Sequence, residues 1–262
     1  MDRLHPYALA APRRYAAALA AATNEITRRT PAPRDLPFFA QDHPEGTRAK
    51  RLDRLSELGI FRIYEHVLDL SAGLGGPARW LARRRGCSVV SFDRSPERAA
   101  ASRLLVRRAH LDAAVRIGVA ELERLPVEDG SFTHAWSVES LHAEPDKPSI
   151  VAELFRAVRP GGHVALQEWA GAAPGYEPFE VFGDALRDVG FRDVRCEAAD
   201  ALREEESAIG AIVRARLAEL LDEPRGAERE AIDNARATLG ARSVAIAEGR
   251  LSLVQIFARK PS

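Results

Sequence analysis

Short apolar runs alternate with helical patterns from Val67 onward, and this alternation limits the possible folds more than any other feature of the sequence. The runs cover residues 67–70, 89–92, 115–119, 135–138 and 164–166. Runs without strict alternation of polar and apolar residues are typical of strands that are buried on both faces of a parallel sheet covered by helices. The sequence therefore predicts an α/β fold with a doubly wound, mostly parallel sheet.

The end of the chain extends this pattern. Residues 191–196 and 251–258 have the composition of two more strands, which brings the predicted sheet to seven strands, and apolar residues recur at helical spacing between them. Prolines divide the first 59 residues into helical pieces. We therefore expect a helical N-terminal extension or lid over residues 1–59 and one domain over residues 60–262. This domain is predicted to contain a helical insertion over residues 200–248, before the last strand.

Composition narrows the class of partner. The 38 basic and 38 acidic residues leave no formal net charge, whereas proteins that bind nucleic acid or anionic membranes usually carry a basic excess. No run approaches the ~18 apolar residues that a membrane-spanning helix needs. Cys87 and Cys196 lie far apart, as expected for free thiols in a reducing compartment. We expect a cytoplasmic protein with no nucleic-acid partner, no membrane partner and no metal site.

A glycine-rich turn follows the first predicted strand. Residues 69–78 read DLSAGLGGPA, and in a doubly wound sheet this turn lies at the carboxyl end of the strand, where ligands bind. Asp93 ends the second predicted strand, where an acidic side chain can accept two hydrogen bonds from ribose hydroxyls. The turn also matches Gly-x-Gly-x-x-Ala, so an NAD(P)-dependent oxidoreductase is one interpretation.

Asp69 separates two classes of ligand for this turn. Its carboxylate would repel a pyrophosphate, since like charges ~4 Å apart cost about 1 to 4 kcal/mol, whereas it would attract a cation. S-adenosylmethionine combines a ribose with an ammonium and a sulfonium, so it suits Asp69 and Asp93 together. The sequence also contains no Tyr-x-x-x-Lys pair of the kind that a nicotinamide oxidoreductase would use.

The motifs resemble those of class I S-adenosylmethionine-dependent methyltransferases. Residues 67–82, VLDLSAGLGGPARWLA, resemble the first motif of the enzymes that act on small molecules such as sarcosine, sterols and tocopherol. Ser71 stands where the family usually has its first glycine, and Arg94 stands where it often has an apolar residue against the adenine. The resemblance implies S-adenosylmethionine as donor and S-adenosylhomocysteine as product. The cofactor-binding residues that it implies are Asp69, Ser71, Ala72, Gly73, Gly75, Asp93, Arg94, Glu121, Leu122 and Ser137.

Further motifs follow in the order of the family. Residues 120–126 resemble the segment in which an acidic side chain binds the adenine amino group and the next backbone amide faces the ring. Glu121 takes the place of the usual Asp, and Leu122 supplies the amide. Residues 129–132, DGSF, lead into the fourth strand, where His134 replaces the usual Asp, and residues 154–162, LFRAVRPGG, resemble the helix and turn before the fifth strand.

The resemblance also indicates where the acceptor would lie. Methyl transfer from a sulfonium is an in-line displacement, so the protein mainly orients the nucleophile, an effect that can contribute ~7 to 11 kcal/mol. An acceptor that arrives protonated needs a general base, and Glu139 and His142 at the end of the fourth strand are the candidates. Trp169, just past the fifth strand, is a candidate wall of the acceptor pocket.

A small-molecule acceptor with an N, O or C nucleophile is the expected substrate. The sequence lacks the Asn/Asp-Pro-Pro-Tyr motif of enzymes that methylate the amino groups of nucleic-acid bases. Residues 170–178 are short compared with the lid-forming insertion of many relatives. The roof of the pocket is therefore expected from residues 1–59, from residues 200–248 or from a second subunit, which makes a homodimer possible. A non-catalytic, methyltransferase-like binding protein remains a further interpretation, suggested by Ser71, Arg94 and His134.

Overall fold

Strands and helices alternate along most of the chain, as the apolar runs predict. The structure is a computed structural model that describes residues 49–70, 73–199, 241–242 and 244–262. Its elements are α1 (Ala49–Leu58), β1 (His66–Leu70), α2 (Gly76–Arg85), β2 (Ser88–Asp93), α3 (Pro96–Arg108), β3 (Val115–Val119), β4 (Phe132–Val138), a 3-10 turn (Leu141–Ala143), α4 (Lys147–Ala157), β5 (Val158–Gly171), α5 (Phe179–Asp188), β6 (Arg192–Ala198) and β7 (Leu251–Arg259).

The seven strands form one sheet in the order β3-β2-β1-β4-β5-β7-β6. Strands β1 to β5 pair in parallel, and β7 lies antiparallel between β5 and β6. Because parallel strands point the same way, the loops that follow β1, β2, β3, β4 and β5 meet at one edge, which we call the carboxyl edge. The predicted fold, a doubly wound and mostly parallel seven-stranded sheet, is confirmed.

Both faces of the sheet are buried, which explains the continuous apolar runs in the sequence. Successive side chains of β1 point to opposite faces, so Val67 packs in a cluster with Trp80, whereas Leu68 and Leu70 pack in a second cluster with Ile150. Each of these five side chains is at most 1% exposed. The central strands therefore have no solvent-facing side that would require a polar residue at every second position.

The fifth strand is the largest departure from the predicted elements. Residues 164–166 were expected to form it, but β5 runs from Val158 to Gly171. The predicted helix stop at residues 159–162 therefore lies inside the strand. Gly161 adopts a left-handed φ of 76°, and its N–H donates to the carbonyl oxygens of Lys260 and Pro261 at 3.0 and 3.2 Å. The local sequence at residues 159–162 is typical of a turn, but hydrogen bonds with the segment after β7 keep these residues in the sheet.

Two predicted regions lie mostly outside the described residues. The N-terminal extension over residues 1–59 is described only from residue 49, where α1 begins. The insertion over residues 200–248 is described only at residues 241–242 and 244–248, of which 241–242 and 244–247 are helical. The boundary at residue 59 and the extent of the insertion remain predictions.

No helix in the described part of the chain is long and apolar enough to cross a membrane. Within the same ranges, no three His, Cys, Asp or Glu side chains are placed so that they could hold a metal ion. Cys87 is buried, Cys196 is exposed, and both are free thiols.

Candidate active site

The glycine-rich turn lies at the carboxyl edge between β1 and α2. Gly75 caps the start of α2 with a φ of 75°, and a Cβ at this position would stand 2.1 Å from Oγ of Ser102. Gly73 also has a left-handed φ, 52°, but a Cβ there would meet no atom of the described residues within 4 Å. Ser71 and Ala72 lie outside the described residues. Among the described residues, the space beside Gly73 is therefore open, so that a ligand could approach the backbone closely.

Asp93 ends β2 and faces this turn. Its Oδ2 accepts a hydrogen bond from the N–H of Gly73 at 2.9 Å, and its Oδ1 accepts from the N–H of Ser95 at 2.8 Å and from Nε of Arg98 at 3.0 Å. Arg98 reaches back because Ser95 caps α3 and Pro96 starts it. A carboxylate can accept about four hydrogen bonds. Oδ2 therefore retains capacity for one ribose hydroxyl, whereas Oδ1 is already occupied.

Asp69 is buried inside the sheet, one residue before the end of β1. It pairs in register with Ser91 of β2 and Trp136 of β4, and the hydroxyl of Ser91 donates to its carboxylate. Burial raises the pKa of Asp69 to about 7, and the nearby charge of Asp93 also raises it, whereas interactions with Ser91 and Trp136 lower it. A cation beside the turn would favour the ionised form of Asp69.

Glu121 and Leu122 follow β3 at the same edge. The side chain of Glu121 is 70% exposed and forms an ion pair with Arg94, which follows β2. Leu122 is fully buried among residues of the apolar core, so it anchors the loop beside Glu121. The structure thus brings Arg94 and Glu121, two predicted cofactor residues from different loops, into direct contact.

Glu139 directly follows β4 and is held in an unusual conformation. Its φ of 55° is in the left-handed region, which is sparsely populated by non-glycine residues and is often found at functional sites. Its Oε1 accepts from Nε2 of Gln167, and its Oε2 accepts from Nε1 of Trp169, both at 3.0 Å. Burial raises the pKa of Glu139, although these two donors and the charges of Arg51 and His142 lower it.

Glu168 is a site residue that the sequence reasoning missed. This fully buried side chain of β5 accepts hydrogen bonds from several groups that follow or end β4. The donors are the backbone N–H groups of Ser140, Leu141 and His142 at 3.3, 3.1 and 3.1 Å, the hydroxyl of Ser137 at 3.1 Å and Nδ1 of His142 at 2.9 Å. The available signal was the polar pair Gln167-Glu168, which interrupts an otherwise apolar strand.

His142 lies in the 3-10 turn after β4 and is only 5% exposed. Its ring stacks on Tyr176, with the ring centroids 5.5 Å apart and the planes 17° from parallel. Because Glu168 accepts the hydrogen bond from Nδ1, the tautomer with its proton on Nδ1 is favoured. Ser137, a predicted cofactor residue, contributes to the same network through Glu168 and through Oγ of Ser140 at 2.7 Å.

His134 lies at the opposite edge of the sheet, near the start of β4. Its Nδ1 lies 3.0 Å from Oε2 of Glu65, and its ring stacks on His163 with centroids 5.3 Å apart. Burial lowers the pKa of His134 to about 4. The departure from the family motif at this position is therefore remote from the candidate active site.

Comparison with known families gives a match to the methyltransferase domain over residues 68–166. This range starts in β1 and ends in β5, so it contains the glycine-rich turn, Asp93, Glu121, Glu139 and His142. It stops just before Glu168.

Two curated proteins show how far the similarity extends. Sarcosine/dimethylglycine N-methyltransferase of Halorhodospira halochloris is 34% identical over 97 residues, which are 37% of this chain and 35% of that protein. The 27-O-demethylrifamycin SV methyltransferase of Amycolatopsis mediterranei (strain S699) is 27% identical over 224 residues, which are 80% of this chain and 82% of that protein. Several relatives match over only about a third of their own length.

Solved structures show the same architecture. Phosphoethanolamine N-methyltransferase 2 of Haemonchus contortus, in complex with S-adenosyl-L-methionine, superposes with a TM-score of 0.62 and 21% identity, over 81% of this chain and 52% of that one. At this identity the likeness shows the fold alone. The resemblance that the motifs indicate is confirmed for part of the chain, since residues 68–166 match the methyltransferase domain, and similar curated proteins include a tocopherol O-methyltransferase and a sarcosine/dimethylglycine N-methyltransferase.

Proposed function

We propose that this protein transfers a methyl group from S-adenosylmethionine to an N, O or C nucleophile of a small molecule by in-line displacement. The single observation that carries the proposal is the set of carboxylates at one edge of the sheet. Asp69 is the next-to-last residue of β1 and Asp93 ends the adjacent strand β2, both beside a glycine turn, and Glu121 follows β3. A cationic, ribose-containing ligand matches this set, whereas a pyrophosphate does not.

The residues at the carboxyl edge fit this donor. Gly73 has open space beside its α-carbon, and Oδ2 of Asp93 has capacity for a ribose hydroxyl. Glu121 presents an exposed carboxylate to an adenine amino group, and Asp69 supplies negative charge for the methionine end. When bound, the donor supplies a methyl group that is already activated by a sulfonium, so the protein needs only to hold the acceptor and exclude water.

His142 is the proposed general base. Glu168 holds the proton of His142 on Nδ1, which leaves the lone pair on Nε2 to accept a proton from the acceptor. Three backbone N–H groups and a hydroxyl also donate to the carboxyl group of Glu168 and hold it in place. Glu168 is therefore a positioning residue for His142.

Glu139 is proposed to face the acceptor from the other side of the same loop. Its carboxylate accepts hydrogen bonds from Gln167 and Trp169, and the charge of Arg51 also favours its ionised form. A polar or cationic group of the acceptor would be a further partner for this carboxylate. Trp169 is buried under the guanidinium of Arg242, 5.0 Å from its ring centroid, so the proposed pocket wall is the edge of this ring that carries Nε1.

The partners and location complete the proposal. We place the protein in the cytoplasm, acting on a small molecule and not on nucleic acid, with a second subunit as one source of the pocket roof. The other sources are residues 200–248 and the N-terminal region, to which α1 belongs. Deletion of residues 1–45 should leave the affinity for S-adenosylhomocysteine nearly unchanged and remove turnover, and unchanged turnover would contradict this role.

Calorimetric titration separates the proposed function from its alternatives. The protein should bind S-adenosylhomocysteine and not NADH, and Asp93→Ala should weaken this binding at least about tenfold. Exposed Asp112→Ala, in the loop before β3, is the matched control. Transfer of a labelled methyl group to members of a panel of amines, phenols and activated carbon acids should then identify the acceptor class. Binding of NADH alone would establish the oxidoreductase interpretation instead.

A further inference from the structure

Arg94 connects three loops of the carboxyl edge. It follows β2, and its guanidinium pairs with Glu121 and Glu123 of the loop after β3 and with Glu144 of the loop after β4. Nη1 pairs with Glu121, whereas Nη2 lies 2.5 Å from Oε1 of Glu123 and 3.2 Å from Oε2 of Glu144. We call Arg94 and these three glutamates the Arg94 cluster.

The members of the Arg94 cluster differ in solvent exposure, and this difference indicates which glutamates keep the guanidinium of Arg94 in place. The side chains of Glu144 and Glu123 are 13% and 26% exposed, whereas that of Glu121 is 70% exposed. An isolated exposed ion pair contributes little, largely because two long side chains must be ordered together. Here Glu123 and Glu144 already order the guanidinium of Arg94 through Nη2. Pairing of Nη1 with Glu121 therefore costs less side-chain entropy than an isolated ion pair would.

The same guanidinium carries a donor that points to a ligand. Nε of Arg94 is buried and has no hydrogen-bond partner among the residues that the structure describes. Buried N–H donors are nearly always satisfied in proteins, by protein atoms, water or a ligand. The ring nitrogens of an adenine are acceptors, and its amino group is a donor that Glu121 can accept. Arg94 and Glu121 together thus offer one donor and one acceptor, which is the pattern complementary to an edge of adenine.

We infer that Arg94 is a positioning residue that holds Glu121 for the adenine amino group, and that the Arg94 cluster thereby sets the base specificity of the donor site. This inference rests on the proposed function. It also assigns a role to the replacement of the usual apolar residue by arginine. A flexible Glu in place of the usual shorter Asp needs a partner that orders it, and Arg94 is that partner.

The discrimination between two bases tests this role. S-inosylhomocysteine carries an oxygen where S-adenosylhomocysteine carries the amino group, so a fixed Glu121 should repel it. Calorimetric titration of the wild type should show binding of S-adenosylhomocysteine at least about tenfold tighter than that of the inosine analogue. Arg94→Leu should reduce this ratio to about twofold, and Arg94→Lys should restore part of it, because a lysine can pair with Glu121 but not with all three carboxylates at once.

Matched controls separate positioning from a general loss of structure. Arg107→Leu removes the same charge from an exposed position of α3 and should leave the ratio unchanged. Should Arg94→Leu fail to fold, the double variant Glu123→Gln, Glu144→Gln keeps Arg94 and should still narrow the ratio. An unchanged ratio in the folded variants, with normal binding by the wild type, would overturn this inference alone. A wild type that binds neither homocysteine compound would overturn the proposed function as well.

Discussion

The carboxyl edge and the opposite, amino edge of the sheet bury ionisable side chains in different ways. At the carboxyl edge, Glu168 accepts hydrogen bonds from three backbone N–H groups, one hydroxyl and one ring nitrogen. At the amino edge, Nδ1 of His134 has Glu65 and the hydroxyl of Thr133 as partners. Its Nε2 is buried without a partner in the described ranges of the chain.

This difference shows how the fold tolerates charge in its core. At the carboxyl edge, backbone N–H groups that follow β4 satisfy the buried carboxyl group of Glu168. At the amino edge, burial lowers the pKa of His134 to about 4, although Glu65 raises it, so the ring is neutral near pH 7. The carboxyl edge therefore carries hydrogen-bonded carboxyl groups that a reaction can use, whereas the amino edge carries a neutral ring that packs against its neighbours.

Replacement of Glu168 tests the carboxyl edge and should have the largest effect. Glu168→Gln removes the charge and places an amide N–H₂ among N–H donors, so the free energy of unfolding should fall by about 3 kcal/mol. Methyl transfer should be lost at the same time, because His142 loses its orienting partner. Urea denaturation measures the first effect, with exposed Glu128→Gln as control. A loss below about 1 kcal/mol would contradict the compensation described for this carboxylate.

The amino edge should respond to acid. The pKa of His134 is lower in the folded state, about 4, than its ordinary value of 6.5, so the unfolded chain takes up a proton first as the pH falls. The stabilisation is fully present above pH 6.5 and is lost between pH 6.5 and 4, by up to about 3 kcal/mol. Urea denaturation at pH 7, 6 and 5 should show this decline, and His134→Gln should reduce it. An equal decline in the variant would assign the effect to other groups.

Asp69 offers a smaller, functional test of charge at the carboxyl edge. Its pKa of about 7 means that the carboxylate becomes ionised as the pH rises through neutrality. The affinity for S-adenosylhomocysteine, which carries an ammonium, should therefore increase by up to about tenfold between pH 6 and 8. Asp69→Asn should bind weakly at both pH values and show no such increase. Calorimetric titration across this range measures both constants, and a pH dependence that persists in the variant would exclude Asp69 as its source.

The hydroxyl of Ser137 should contribute least. Ser137→Ala removes one of the donors to Glu168 and leaves the backbone donors in place, so the free energy of unfolding should fall by about 1 kcal/mol. Comparison with Glu168→Gln in the same urea denaturation assay would show how much of the free energy of unfolding depends on the carboxylate of Glu168 and how much on the hydroxyl of Ser137. A loss as large as that of Glu168→Gln would mean that the backbone donors contribute little.

The strands and the glycine turn could be predicted because local patterns specify them. Apolar runs of β1, β2 and β4 are buried on both faces, and Gly75 is required by its left-handed φ and by the nearby Ser102. The length of β5 could not be predicted, since Gly161 and Gly162 are held in it by hydrogen bonds with residues after β7, which are distant in sequence. The role of Glu168 also depends on loops that are distant in sequence.

Residues that meet across loops were the least predictable part of the candidate site. Arg94 and Glu121 were each expected near the donor, but no local pattern shows that they pair or that Glu123 and Glu144 join them. Such pairs follow from the order of the strands, which brings the loops after β2, β3 and β4 to one edge. Knowledge of the topology is therefore needed before these contacts can be inferred.

The position of β7 between β5 and β6 has a consequence for synthesis of the chain. In the described sheet β6 pairs only with β7, which begins 53 residues after β6 ends. At roughly 5 to 20 residues per second, the ribosome needs about 3 to 10 s to reach β7 after it has made β6. During this interval β6 has no strand to pair with and one side of β5 is uncovered, so chaperones have a defined period in which to protect these edges.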